Sequence, residues 1–186
     1  MSTVEEPHGT RRDFLYIATG AVGAVGVAAV AWPFIDQMNP SASVLALSTA
    51  EFDLAPIEVG QSITVKWRGN PVFIRHRTEK EIAESKATPM SDLVDPVSRN
   101  VNAPEGSDAS DINRVVDGKE NMLIMMAICT HLGCVPVGEA GDFDGWFCPC
   151  HGSHYDTSGR IRSGPAPRNL DVPPYKYITD TKILVG

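Results

Sequence analysis

Cysteine is scarce in this 186-residue chain: there are four, all between residues 129 and 150. That is not the density of a disulfide-stapled miniprotein, so their clustering points to one local site. Positive charge is also in short supply, with 16 Lys and Arg against 23 Asp and Glu for a net charge of −7. That balance excludes a nucleic-acid partner held by neutralised phosphates. No internal repeat is present. The length accommodates one globular domain and a short appendage, and a composition 42% hydrophobic and 21% charged is that of a folded protein. The most informative absence is local. From Phe14 to Ile35, "FLYIATGAVGAVGVAAVAWPFI", 22 residues pass without a single charge, bounded by Asp13 and Asp36.

About 20 apolar residues cross the hydrocarbon core of a bilayer as a helix, so residues 14–35 are a transmembrane anchor candidate. Gly20, Gly23 and Gly26, set among alanines, would make a thin face that another helix can approach closely. Trp32 stands near the far end, where interfacial aromatics are favoured. Arg11 and Arg12 precede the span, which puts the N-terminal segment, residues 1–13, in the cytoplasm and the main domain across the membrane. The alternative is a cleaved signal peptide, since Ala29-Val30-Ala31 resembles a processing site; the span is read as retained. "TRRDFL" (Thr10 to Leu15) also resembles the twin-arginine export signal, which implies a domain that folds with its cofactor before crossing.

After the span, "DQMNPSASVLALS" (36–48) is small and polar with one proline, a composition suited to a flexible tether. A β-rich domain is expected from about Thr49 to residue 186. "SITVKW" (Ser62 to Trp67) alternates like a half-buried strand, "RGNP" turns the chain, and "VFIR" (Val72 to Arg75) is its partner. Thr78 followed by Glu81 is a capping-box signature, so Glu79 to Lys86 reads as a short helix. Residues 87–118, rich in Pro, Ser, Asn and Asp, read as a loop-dominated insertion. "NMLIMMAI" (Asn121 to Ile128) is a continuous apolar run whose length favours a buried strand, with its methionines as core filling. "YKYIT" and "KILVG" bracket Asp180-Thr181 as a terminal hairpin.

The chemistry is concentrated in "CTHLGCVPVGEAGDFDGWFCPCHGSHYD". Cys129-x-His131 is followed, after sixteen residues, by Cys148-x2-His151, and each half carries one further cysteine, Cys134 or Cys150. Two short loops, each offering a thiolate and an imidazole, can meet around an inorganic centre. A structural zinc site more often pairs C-x2-4-C with H-x3-5-H, and would leave two cysteines unexplained. A thioredoxin-like dithiol needs C-x-x-C, and Cys148-Pro149-Cys150 is one residue short. Two disulfides would leave the histidines idle. On the residues alone, a mixed Cys/His iron–sulfur centre is favoured, with zinc and disulfides as the remaining readings.

"CTHLGC" and "CPCHGSHYD", followed by "GPAP" (Gly164 to Pro167), resemble the two cluster-binding motifs and the proline loop of Rieske iron–sulfur proteins. With the single span and its glycine-rich helix, the chain is similar to the Rieske subunits of bacterial cytochrome bc1 complexes, the ubiquinol–cytochrome c reductases. The strong motifs cover residues 129–167; the anchor, tether and β domain agree more loosely. The resemblance implies a mainly β chain: a Rieske-type antiparallel β domain over 49–186, a small cluster-binding subdomain at about 127–167, and one N-terminal transmembrane helix. It implies one [2Fe–2S] cluster per chain, with Cys129 and Cys148 as thiolate ligands of one iron and His131 and His151 as imidazole ligands of the other. This ligand set and its raised potential are established general features of Rieske centres, not something the spacing derives. The same resemblance pairs Cys134 with Cys150 in a disulfide, which suits an exported domain.

The resemblance also implies supporting roles. Ser153 would donate to a bridging sulfide and Tyr155 to the sulfur of Cys129. Gly133, Gly152 and the Gly164-Pro165 turn would let backbone amides approach the sulfides, and Leu132 would be an exposed apolar contact at the tip. His154 reads as a surface or hydrogen-bonding residue, and His8 and His76 have no partner in view. One departure is visible: Asp144 in "GDFDGWF" stands where this family usually has a second glycine. By resemblance, His151 takes a proton from ubiquinol with the electron, which passes to cytochrome c1 by movement of the head on the tether, centred on Asn39 to Leu47. Electron and proton affinity are coupled at such a site because added negative charge favours protonation. The partners implied are cytochrome b, cytochrome c1 and ubiquinol, in a dimeric complex of the inner (plasma) membrane, with the head in the periplasm and activity only within the complex. The alternatives are a Rieske subunit of a cytochrome b6f-type complex and a membrane-anchored zinc-binding structural protein. A soluble Rieske ferredoxin is disfavoured by the anchor and the extra cysteines.

Overall fold

The computed structural model describes residues 9–116 and 118–186. It comprises two compact units, one ending at Leu45 and one beginning at Ala46. The first is dominated by α1 (Arg11–Asp36), in which no residue is buried. The helix begins three residues before the apolar stretch because Thr10 and Asp13 form a reciprocal capping box. At 26 residues it is about 39 Å long, enough to span a bilayer core. The expectation for residues 1–8, including His8, lies outside the described residues. Within the stretch expected to be a featureless tether, Ala42–Ala46 forms one helical turn, α2, without a buried residue.

The second unit is built from antiparallel β-sheets and fulfils the mainly β expectation. One sheet has β1 (Ala50–Asp53), β10 (Lys182–Val185) and β9 (Tyr175–Thr179) in the order β1-β10-β9. A second has β2 (Ser62–Trp67), β3 (Asn70–His76) and β4 (Met122–Met126) in chain order. A third, four-stranded, joins β5 (Val137–Gly138), β6 (Trp146–Cys148), β7 (Ser153–Tyr155) and β8 (Ile161–Ser163). The β2–β3 connection is tighter than "RGNP" suggested. Trp67 pairs with Asn70, so only Arg68 and Gly69 turn the chain while Asn70 and Pro71 join the strand.

The sheet β2-β3-β4 has apolar side chains on both faces. Val72, Ile74 and Ile124 pack into one core with Leu54, Trp67, Ile183 and Val185. Phe73, Leu123 and Met125 point the other way, into a core shared with Cys129, Trp146, Cys148 and Tyr155. Successive strand residues face opposite sides, so a strand buried on both reads as an unbroken apolar run. That is why "MLIMM" shows no alternation. Helix α3 (Glu79–Ala87) starts at Thr78 with the capping box expected of it.

The insertion is more ordered than its composition suggested. It contains short 3-10 turns at Met90–Asp92 and Asp111–Arg114, and isolated bridges pair Val97 with Asp108 and Asn100 with Val172. It is fixed by buried charge. Arg77 donates to both oxygens of Asp111, at 2.6 and 3.2 Å, and the Ser158 hydroxyl bonds the same carboxylate. Arg160 donates to Asp156 at 2.7 Å and to the carbonyls of Ala109 and Ser85. Arg114 is wholly buried and donates only to carbonyls, those of Ser158 and Ser98. Burial pulls its pKa down to about 10. Asn169 ties in β8 and the insertion by bonding Ile161, Asp95 and Val97.

Removing one member of a buried pair leaves the other charge uncompensated, at a cost of about 3–5 kcal/mol. Asp111→Ala is therefore expected to lower the stability of the chain by that amount, read as a reduced guanidinium midpoint in tryptophan fluorescence.

Candidate metal centre

Two loops of the third sheet's neighbourhood carry the cysteines and histidines. The first runs from the end of β4 toward β5 and holds Cys129, His131 and Cys134. The second is the β6–β7 connection and holds Cys150 and His151, with Cys148 as the last residue of β6. The loops fold by the same local device. The amide of Gly133 donates to the carbonyl of Cys129 at 2.9 Å, and that of Gly152 to the carbonyl of Cys148 at 3.0 Å. Both glycines have positive φ, +85° and +76°, which a residue with a Cβ adopts only at a cost. Each turn spans five residues and contains the histidine of its loop.

The structure brings the named groups together. Cys134 and Cys150 form a disulfide, joining the loops. Cys129 and Cys148 are free thiols, each 2% exposed. The rings of His131 and His151 stand edge to face with centroids 4.7 Å apart, the first half-buried and the second exposed. The sulfurs of Cys134, Cys148 and Cys150 lie within 4.8 Å of one another. Two of those three are consumed by the disulfide, so the thiols left free are Cys129 and Cys148. Two buried thiols and two adjacent imidazoles, carried by the same pair of loops, make up a donor set whose chemistry fits a [2Fe–2S] cluster with mixed ligation.

Hydrogen bonds polarise the two thiols differently. Burial raises the pKa of Cys129, but the Tyr155 hydroxyl and the His131 amide outweigh it and bring it below the usual thiol value. Burial dominates at Cys148 and pushes its thiol up. The Tyr155 hydroxyl donates to Cys129 Sγ at 3.2 Å. Its own pKa is raised, by burial first and then by that sulfur, so the phenol stays a donor. Ser153 is wholly buried, and its oxygen accepts the amide of Ala166 at 3.1 Å. That leaves the hydroxyl proton free, and Cys129 is among the groups it favours as an anion.

The proline loop closes against the second ligand loop. Gly164 has φ +102°, and a Cβ there would stand 2.4 Å from the carbonyl oxygen of Gly152 and 2.6 Å from Ser153 Cα. Pro165 is exposed. Thr130 Oγ1 donates to the carbonyl of Arg168 at 2.6 Å, which ties the first ligand loop to the far side of the proline loop. Leu132 is 71% exposed, an apolar side chain at the surface beside the imidazoles. His154 has other partners. Its Nδ1 accepts the amide of Asp142 at 3.1 Å, and its ring packs on Phe147. His76 bonds the carbonyl of Ile57 at 2.7 Å, a partner invisible in the sequence.

Asp144 has φ +50° and an exposed side chain. The left-handed conformation explains why glycine suits this position, and aspartate is among the few other residues that tolerate it. The next residue, Gly145, packs so tightly that a Cβ would fall 2.2 Å from the backbone of Asp156. Sequence reasoning did not find the Arg75–Glu139 pair, at 2.8 Å, which links the end of β5 to the β3 strand. Nothing local signals it, because the partners are 64 residues apart.

Comparison with known proteins gives consistent matches. Residues 1–41 match the family described as "Ubiquitinol-cytochrome C reductase Fe-S subunit TAT signal". Residues 95–176 match the "Rieske [2Fe-2S] domain" family. The ubiquinol-cytochrome c reductase iron-sulfur subunit of Cereibacter sphaeroides is 52% identical over 187 residues, covering all of both chains. That of Bradyrhizobium diazoefficiens is 54% identical over 180 residues, covering 96% of each. A chain of a hyperthermophilic respiratory Complex III has the same fold with TM-score 0.51 and 25% identity, covering 90% of this chain and 98% of that one.

The contact at Gly164 is unforgiving because both opposing atoms are backbone. Gly164→Ala is expected to push the Gly152–Ser153 segment away, so that iron and acid-labile sulfide per purified chain fall well below those of the unsubstituted protein.

Proposed function

This chain belongs to the family of ubiquinol–cytochrome c reductase iron–sulfur subunits, and from that premise we propose that Cys129 and Cys148 hold one iron of its [2Fe–2S] cluster and His131 and His151 the other. Its role is electron transfer in the cytochrome bc1 complex. The observation that carries the ligand assignment is the convergence of two buried free thiols and two adjacent imidazoles on loops locked by the Cys134–Cys150 disulfide. When bound, the cluster supplies one-electron redox chemistry at a potential raised by its neutral ligands, as in Rieske centres generally.

His151 is the more exposed of the two imidazoles. Its outer ring nitrogen meets the quinol hydroxyl, accepts its hydrogen bond and takes its proton as the electron leaves. Leu132, exposed beside it, contributes an apolar contact that helps to exclude water from the docked face. Tyr155 and Ser153 direct hydroxyl protons toward the buried sulfur side and so favour the more negative, reduced state. Cytochrome b completes the quinol site, and cytochrome c1 receives the electron. Activity therefore belongs to the assembled dimeric, translocating complex and not to this subunit alone.

Residues 14–35 anchor the subunit in the inner membrane. Arg11 and Arg12 keep the N-terminal end cytoplasmic and the head, residues 49–186, periplasmic. The twin-arginine pattern fits export of a head already folded around its cluster. Residues 36–48 are the tether on which the head moves between its partners, since one centre has to serve two that lie apart.

EPR of the dithionite-reduced protein tests the centre: a reduced [2Fe–2S] signal is expected, and its absence would refute the assignment. Tyr155→Phe removes one donor to a charged sulfur. The midpoint potential is expected to fall by on the order of 60 mV, equivalent to about 1.4 kcal/mol for one electron, with the cluster retained. Consecutive prolines within Asn39 to Leu47 are expected to slow reduction of cytochrome c1 with the EPR spectrum unchanged; undiminished turnover would overturn the tether reading.

A further inference from the structure

The β2–β3 hairpin contains a residue in the wrong conformation for its type. Arg68 and Gly69, the two turn residues, have φ of +48° and +80°. Two positive φ values in a two-residue loop are the arrangement of a type I′ turn, whose first position strongly prefers Asn, Asp or Gly. An arginine there has to bring its Cβ close to the following carbonyl, which is strained. A strained residue of this kind persists where its surroundings over-determine it. The question is what the Arg68 side chain contributes.

It reaches the place where the tether enters the head. Arg68 Nε donates to the carbonyl oxygen of Ser48 at 3.1 Å, and Trp67 Nε1 donates to the same oxygen at 2.8 Å. The guanidinium lies over the Trp67 ring, 4.7 Å from its centroid, so the two donors brace each other. Trp67 is 8% exposed and belongs to the core of β1, β3 and β10, which makes it a rigid post. Gly186 closes the other side. At φ +112°, any Cβ on it would stand 2.2 Å from the Ser48 oxygen and 2.9 Å from Trp67 Nε1. Two donors and one obligatory glycine therefore converge on a single carbonyl, two residues before β1 begins at Ala50.

We infer that Trp67 and Arg68 are positioning residues for electron delivery: by clamping the Ser48 carbonyl they fix the head-side end of the tether. This rests on the reading of residues 36–48 as the tether of a moving head. With the peptide after Ser48 held, the pivot ends at Leu47 and the head swings as one body. With it released, Thr49 and the start of β1 join the flexible segment. The head then samples more orientations, and its tip spends a smaller fraction of time aimed at either partner.

The test uses the assembled complex with Arg68→Asn, a residue that suits the turn but cannot reach Ser48. Trp67→Phe is the second variant; it keeps an aromatic post without the N–H. Four results are expected for Arg68→Asn. The unfolding midpoint stays level or rises, because the turn relaxes. The EPR spectrum and midpoint potential of the cluster are unchanged. Amide exchange over residues 49–52 quickens about tenfold, the equivalent of one lost hydrogen bond, and flash-induced reduction of cytochrome c1 slows several-fold. Trp67→Phe should likewise quicken exchange and slow reduction. Unchanged exchange in both variants would show that there is no clamp. Faster exchange with unaltered cytochrome c1 reduction would overturn the positioning role. Neither result would touch the tether reading, which stands or falls separately on the response to prolines within Asn39 to Leu47.

Discussion

Two loops have to be held side by side for the candidate centre to form, and the covalent link between Cys134 and Cys150 is the constraint that makes this possible. The loops are short and mostly exposed, so hydrophobic burial alone cannot fix them. A cross-link closing a loop of 16 residues limits the unfolded chain by about 3 kcal/mol in the chain-entropy picture. Its more direct effect is on register. With Cys134 and Cys150 joined, the glycine-closed turns at Cys129–Gly133 and Cys148–Gly152 present their histidines side by side while the two free sulfurs stay in the core. The backbone-only contact at Gly164 then seats the proline loop against the second turn.

The ligand loops have to be mounted on something rigid, and the central sheet provides it. Cys129 and Cys148 belong to the same core as Phe73, Leu123 and Met125, side chains from one face of β3 and β4. The opposite face of those strands supports the sheet that begins just after Ser48. A single doubly buried sheet thus links the sheet that begins just after Ser48 to the site. The arginine–aspartate pairs around Ser158 fasten the insertion to the segment following Tyr155, so this support continues on the far side of β7.

How much of this was legible follows from the range of each interaction. The stretch that holds the candidate centre was legible because an inorganic centre demands fixed residue types at short spacing, and all four cysteines fall between residues 129 and 150. The strands and α3 were legible from alternation and a capping box, both local. The insertion at 87–118 was not. Its composition is that of a loop, and its order comes from partners such as Arg77 with Asp111 and Asp111 with Ser158, 34 and 47 residues apart. The turn "RGNP" was placed correctly but made too long, because the two left-handed residues Arg68 and Gly69 close it alone, which leaves Asn70 and Pro71 in β3. The helical turn at Ala42–Ala46 lies within a segment whose small, polar composition reads as a flexible tether, and five residues are too short for a periodic pattern to mark a helix.

The left-handed residues carry one more lesson about where the sequence encodes function. Among the described residues, four that are not glycine have positive φ: Arg68, Arg99, Glu139 and Asp144. All four bear charged side chains, and three reach a firm partner. Arg68 holds the Ser48 carbonyl, Arg99 donates to Asp95 at 2.8 Å, and Glu139 accepts from the buried Arg75 at 2.8 Å. Asp144 has only Lys80, at 4.0 Å between two exposed side chains, a contact worth little. Glycine would relieve the backbone at each site, so the charge at the first three is retained for a contact that glycine would lose. At Asp144 no comparable contact offsets the strain, and this is also the position where the chain departs from the glycine usual in its family. The same backbone observation therefore separates three side chains that tie distant segments together from one that is merely tolerated.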